Sequence, residues 1–272
     1  MEGLYLYCIR EKIEGVPAIP IKGIDGKGEV FTIVYREVEA VVSNISLEEF
    51  ASEEIQKKAR EDLSWIKEKA VTHERVIEGA MRENDKILSL IPIRFGTILK
   101  DKARLEETLN KDYSGIKEVL DRIRGKQEWS VKVYLKDREK FEQVIKEKNE
   151  SIKEKEKYIA SLPEGMAFFM EEELTEVISK EVDKELNNIV EVLFESIGKQ
   201  AVASIKNKIF GKELTGKREP MVLNSAFLIP EGEIVNFKEE AGELDQEIQA
   251  KGFYLEYSGP WPPFNFTSYL KI

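Results

Sequence analysis

Cysteine and histidine are almost missing from this chain. Its 272 residues include one of each, Cys8 and His73. A lone cysteine excludes a disulfide framework within a monomer and fits a reducing compartment. One histidine and one cysteine far apart in sequence exclude a structural zinc site of the Cys/His type. His73 is followed by Glu74, but Ile77 stands where a zinc-protease helix needs its second histidine. Long apolar runs are missing too. None approaches the ~20 residues of a membrane span, and the first residues lack the basic and apolar regions of a signal peptide. The expectation is a soluble, cytoplasmic protein with no membrane partner. Positive charge is also in deficit: 42 Lys and Arg stand against 52 Asp and Glu, for a net charge of −10. That argues against a nucleic-acid partner, because phosphate backbones need concentrated cations.

Catalytic signatures are equally scarce. The glycine-rich run Gly23-Ile24-Asp25-Gly26-Lys27-Gly28 is followed by a strand, where a phosphate loop needs a helix, so it reads as a turn. Acidic clusters such as Glu53-Glu54 and Glu171-Glu172-Glu173 lie on charged helical faces. They lack the burial and fixed separation of a catalytic carboxylate pair. Cys8 falls in the apolar alternation Leu4, Leu6, Cys8 and is expected to be an inert core thiol. His73 lies on the apolar stripe of a helix and is expected to be packed or hydrogen-bonded. No catalytic residue, metal site or cofactor is expected.

What remains is ample for a core, since 42% of the residues are hydrophobic. Gly3 to Arg10 reads as a central strand. Val30 to Tyr35 and Val38 to Ser43 read as a hairpin turning at Arg36-Glu37. Gly15 to Pro20 reads as a loop. Ser46 with Glu49 has capping-box spacing, and the apolar period is then helical to about Asp85, as one kinked helix or two. Ile87 to Leu99 is extended and broken by Pro92. Short helices follow over 102–110 and 114–124.

Gly125 marks a domain boundary, giving domains 1–124 and 125–272. Beyond it, Trp129, Val131, Val133 and Leu135 alternate as one buried strand face. A charged helix over 137–158 has sparse apolar positions and reads as solvated and projecting. An amphipathic helix runs from about Ala167 to Ile209, with Gly198 as an interruption. Strands at 221–229 and 253–257 flank a helix at 235–250. The order fits a ferredoxin-like β-α-β-β-α-β module with a helical insertion, if one more strand lies near Gln200 to Ser204 or in the tail. The fold class is therefore α+β in two domains, an N-terminal mixed sheet with helices and a C-terminal ferredoxin-like domain.

Two segments stand out. In Leu90-Ile91-Pro92-Ile93-Arg94-Phe95-Gly96-Thr97, a charge sits among apolar neighbours. Arg94 either ties to a carboxylate within the domain or emerges to meet a partner. In Ser258-Gly259-Pro260-Trp261-Pro262-Pro263-Phe264-Asn265-Phe266, three prolines exclude helix and central strand. An extended arm carrying Trp261, Phe264 and Phe266 is expected, either as an internal clamp or as a docking arm.

These segments carry a family resemblance. Pro92-Ile93-Arg94-Phe95-Gly96-Thr97 resembles the P-x-RFGT signature of the gas vesicle protein F/L family. Gly125-Lys126-Gln127-Glu128-Trp129-Ser130-Val131-Lys132 resembles its G-x-x-EW-x-VK strand, and Leu223-Asn224-Ser225-Ala226-Phe227-Leu228 its LN-x-A-[FY]-L strand. The tail resembles its S-GPWPPY-x-F ending, with Phe264 in place of tyrosine. The resemblance implies a non-enzymatic accessory or minor structural protein of gas vesicle assembly. Its implied partners are the small, very apolar shell protein and other accessory proteins. Its implied interaction or motif residues are Arg94, Phe95, Gly96, Trp129, Asn224, Trp261, Phe264 and Phe266. The alternative from the residues alone is a ligand-binding regulatory module of ferredoxin-like type.

Overall fold

A computed structural model describes residues 2–13, 19–50, 52–83 and 86–267. Most of the loop expected at Gly15 to Pro20, and the end of the helical stretch expected to reach Asp85, fall outside the described residues. By internal contacts the chain divides into two compact units, Met1–Glu128 with Pro260–Ile272, and Trp129–Gly259. The boundary expected at Gly125 keeps the tail with the second half. The tail from Pro260 instead goes with the first unit.

The first unit is built on strand β1 (Glu2–Glu11), which the sequence marks as central by its unbroken apolar run. It pairs antiparallel with β3 (Val38–Ser46) on one side and with β6 (Leu90–Pro92) and β7 (Ile98–Leu99) on the other. The hairpin partner β2 (Val30–Tyr35) completes the order β2-β3-β1-β6. The hairpin turns at Arg36, whose φ is 55°. This backbone is unfavourable for a side chain, and the guanidinium is held by Asn110 and lies over the Tyr35 and Tyr113 rings. In the glycine-rich turn, Asp25 Oδ1 accepts the Lys27 and Gly28 amides, so the run is a turn as expected.

The helical stretch after Ser46 forms three helices, α1 (Leu47–Phe50), α2 (Glu53–Glu61) and α3 (Leu63–Ala80), where one or two were expected. The break is chemical: Ser52 and Asp62 each turn a side-chain oxygen onto a following backbone amide and start a new helix. A two-residue ribbon, β4 (Arg82–Glu83) with β5 (Lys86–Ile87), follows. The two short helices expected at 102–124 are one, α4 (Lys102–Ile123), because Leu105, Leu109, Ile116 and Leu120 continue a single buried stripe through Ser114-Gly115.

The second unit's sheet has the order β11-β8-β10-β9, from β8 (Lys126–Leu135), β9 (Ala203–Lys206), β10 (Met221–Pro230) and β11 (Phe253–Trp261). Between β8 and β9 lie α5 (Arg138–Lys148), α6 (Glu150–Ala160) and α7 (Glu164–Gly198). The short α8 (Lys212–Thr215) precedes β10, and α9 (Ile234–Gln249) precedes β11. The stretch 137–158 is therefore not one projecting helix. Asn149 caps α6 through the Ile152 amide and ends α5. Nor is it simply solvated, since Phe141, Ile145, Ile152 and Ile159 enter the core with Leu174, Ile178 and Val182 of α7. Sparse apolar positions suffice when they share one stripe. Gly198 ends α7, so the helix does not continue to Ile209, and the strand sought near 200–204 is β9. At Gly252, φ is 89° and a Cβ would lie 2.6 Å from the Asp137 carbonyl oxygen, so only glycine admits this crossing.

Candidate functional site

The run Ile93 to Thr97 links β6 to β7 and is suspended from two buried side chains. Tyr5 on β1 and His73 on α3 face each other, with Tyr5 Oη 3.2 Å from His73 Nδ1. His73 Nε2 lies 3.0 Å from the Ile93 carbonyl. A carbonyl only accepts, so Nε2 carries the proton and Nδ1 accepts from the Tyr5 hydroxyl. The hydroxyl oxygen in turn accepts the Gly96 amide at 2.8 Å. The relay begins and ends on the same loop. Burial depresses the imidazole's proton affinity, although its bond to Ile93 opposes this, so the ring is held neutral. Burial likewise raises the Tyr5 hydroxyl, which remains a donor.

The loop's backbone is tied further. Ile93 donates to the Tyr7 carbonyl, Leu6 donates to the Thr97 carbonyl, and the Thr97 hydroxyl donates to the Arg94 carbonyl. Gly96 sits at φ 86°. This frame turns Arg94 and Phe95 outward. Phe95 is 45% exposed and meets the edge of the His73 ring at 5.7 Å. Arg94 is exposed, and the carboxylate tie offered for it is not found among the described residues. The buried guanidinium belongs to Arg10, which bonds Glu39 Oε1 at 2.7 Å and the Ala80 carbonyl at 2.6 Å. A register shift between Leu6 and Cys8 makes this possible. The bulge breaks the alternation expected of Leu4, Leu6 and Cys8. Cys8 joins Tyr5 and Tyr7 in one cluster with Val76, Ile77 and Ala80. Burial pushes its thiol up to about 12, which fits an inert core residue.

The tail closes on the same unit. Extended structure continues through Pro260 to Trp261, consistent with an edge strand. The arm then departs from expectation, because Phe264–Thr267 is a helical turn, α10, packed on β6. Two prolines just before a helix fit its first turn, where no amide donor is needed. Phe264 packs against the cluster around Tyr5, and Phe266 is buried. The Phe266 carbonyl accepts from Arg122 at 2.8 Å. Glu128 accepts both the Asn265 amide and its side-chain Nδ2. Burial pushes the Glu128 carboxyl up to about 7, against the pull of the two Asn265 bonds. Trp261 is 41% exposed.

Thus Arg94, Phe95, Gly96, Phe264 and Phe266 belong to one unit, where α10 packs on the strand that leads into the Arg94 loop. Trp129 and Asn224 belong to the other. Trp129 is buried against Phe237 at 5.6 Å, with Lys238 Nζ over its ring. Asn224 is buried, donates to the Lys208 carbonyl at 2.8 Å and accepts the Asn207 amide on its own carbonyl at 2.7 Å. Sequence reasoning missed Tyr5, Arg10, Glu39, Arg122 and Glu128. The available signal was polar groups inside runs expected to be buried, each of which needs a partner.

The family model for the gas vesicle synthesis protein GvpL/GvpF matches residues 3–268. The chain belongs to that family. It is similar to gas vesicle protein L1 of Halobacterium salinarum, with 24% identity over 276 residues, covering 97% of this chain and 90% of that protein. It is also similar to gas vesicle protein F of Dolichospermum flosaquae, with 24% identity over 200 residues, covering 72% and 76% of the two chains. The crystal structure of GvpF from Anabaena sp. PCC7120 matches with a TM-score of 0.74 at 20% identity, over 98% of both chains, and so shares its α+β fold. GvpL/GvpF is a gas vesicle family and not a known enzyme family. Among the described residues, no helix is long and apolar enough to cross a membrane.

Proposed function

We propose that this GvpL/GvpF member is a non-enzymatic accessory or minor structural protein that binds the small apolar shell protein during nucleation or growth of the vesicle. It works in the cytoplasm, at the vesicle, beside other accessory proteins. The observation that carries the reading is the family match over residues 3–268. The surface supports it physically. An apolar subunit aggregates unless its greasy face is covered, and a partner with net charge −10 keeps the covered species dispersed. Exposed Met166, Phe168 and Phe169 at the start of α7 supply apolar contact area on this otherwise charged protein.

We read the chain as two domains, the second ferredoxin-like. The order β8-helices-β9-β10-α9-β11 and the sheet order β11-β8-β10-β9 support that reading, because they are the connectivity of a split βαβ pair. The candidate interaction residues are Arg94 and Phe95 on their rigid loop and Trp261 on its exposed strand end. Gly96, Trp129, Asn224, Phe264 and Phe266 are supports. The test is co-purification of tagged protein with the shell protein, together with deletion of the gene. Capture of the shell protein and loss of vesicles are expected. Intact vesicles in a clean deletion would end the proposal.

A further inference from the structure

Strand β9 closes one end of the second unit's sheet, and among the described residues no strand covers its outer edge. Its surroundings differ from the rest of the molecule. Within residues 199–218 there are six Lys or Arg and one acid, Glu213, a local excess of +5 in a chain of net charge −10. The same stretch exposes Val202, Ile205, Ile209 and Phe210. A strand edge protected against association is short, charged and free of greasy flanks. This one is basic but lined with apolar side chains.

The edge is also longer than four residues. The Asn207 amide bonds the Asn224 carbonyl, and the Asn224 side chain holds the Lys208 carbonyl. The backbone therefore stays aligned with β10 through Lys208. From the Asn207 bond, antiparallel alternation turns the amides of Asn207 and Ile205 toward β10 and those of Ser204 and Lys206 outward. The Lys206 side chain folds back to Glu191 and over the Phe194 ring of α7. Ile205 therefore lies on the opposite face of the sheet.

We infer that β9 is a strand-addition edge for an extended apolar segment with acidic flanks, supplied by the shell protein. The inference rests on the functional reading above and assigns it a surface. Outward amides at Ser204 and Lys206 give main-chain bonds, Ile205 and Phe210 give apolar contact, and Lys208 and Lys212 select carboxylates. A second copy of this chain is the wrong occupant, since pairing β9 with itself would set the two basic stretches side by side.

The test uses purified full-length protein and purified shell protein. Ser204→Pro and Lys206→Pro each delete an outward donor while sparing the bonds to β10, and an edge strand tolerates such a proline. Wild type should bind, each proline variant should bind at least ~10-fold more weakly, Ser204→Pro should leave the melting temperature unchanged, and added salt should weaken wild-type binding. Should the prolines unfold the chain, the double variant Lys208→Glu, Lys212→Glu must show the same loss. If wild type fails to bind, the functional reading falls and takes this inference with it. Binding by wild type that every variant retains overturns the β9 assignment alone. A wild-type dimer in light scattering that the prolines convert to monomer also overturns it, in favour of self-pairing.

Discussion

Glu128 accepts two hydrogen bonds from Asn265, 3.1 Å from its backbone amide and 2.7 Å from its side chain. The pair joins the end of the first unit's main segment to the tail that returns to it. Because burial raises the carboxyl to about 7 in the folded state, from an ordinary value of 4.5, the native protein binds this proton more tightly than the unfolded chain. The associated stability is complete below about pH 4.5 and is lost as pH rises through about 7. The shift corresponds to about 3 kcal/mol. Calorimetric melting of wild type and Glu128→Gln between pH 4.5 and 8 should show this decline in wild type and a flatter profile in the variant. Equal slopes would remove Glu128 from the tail's anchoring.

His73 has the opposite sign. Its folded-state affinity for protons is lowered by burial, so its stability contribution is present above the ordinary value of 6.5 and is lost as pH falls through the lower folded value. It is the chain's one histidine, so its ring resonances in a proton NMR titration stand alone. At pH 6.5 they should be mainly those of the neutral Nε2–H tautomer, because the shift is downward. A half-protonated ring at that pH would contradict the relay to Ile93.

Tyr5→Phe removes the hydroxyl that joins His73 to the Gly96 amide and strands both groups in a partly buried site. The expected loss is about 1–3 kcal/mol in denaturant unfolding, with faster amide exchange at Gly96. A neutral substitution would mean that the loop holds its shape by backbone bonds alone.

Arg10 and Glu39 are both buried, so truncating either leaves the other charged and unpaired. Glu39→Ala should destabilise by about 3–5 kcal/mol, whereas the double change Arg10→Met, Glu39→Leu should be far milder. Chemical denaturation of the three proteins measures the difference.

Arg94→Met is the contrasting case. The side chain is exposed, and a surface change of this kind should alter stability by less than about 0.5 kcal/mol. Shell-protein binding to this variant then reads out contact, uncomplicated by folding. A drop of several kcal/mol in stability would show that Arg94 has a structural tie after all.

Element types were largely legible from the residues, because burial imposes periods of 2 and 3.6 that β8, α4 and α7 display, while an unbroken apolar run marks β1. Element ends were less so. Asn149 and Asp62 look like ordinary polar residues of a charged helix until their side chains are seen bonding the next helix's amides. The bulge at Tyr7 left no mark in a run where every residue is apolar or aromatic, and beyond it Arg10 reaches the Ala80 carbonyl. The motif runs containing Arg94, Trp129 and Trp261 were visible, but their partners were not.

From composition, period and motif, the chain by itself determined an α+β protein of the gas vesicle family with a single histidine and a single cysteine. Only the tertiary structure decided that Phe95 stands outward on a loop hung from Tyr5 and His73, that Asn265 seals Glu128, and that β9 ends its sheet with no further strand beyond it among the described residues. Periodicity reports which side of an element is buried, a local property. Which buried polar group meets which is set by contacts between residues far apart in sequence, as with Glu128 and Asn265, and no local pattern encodes that.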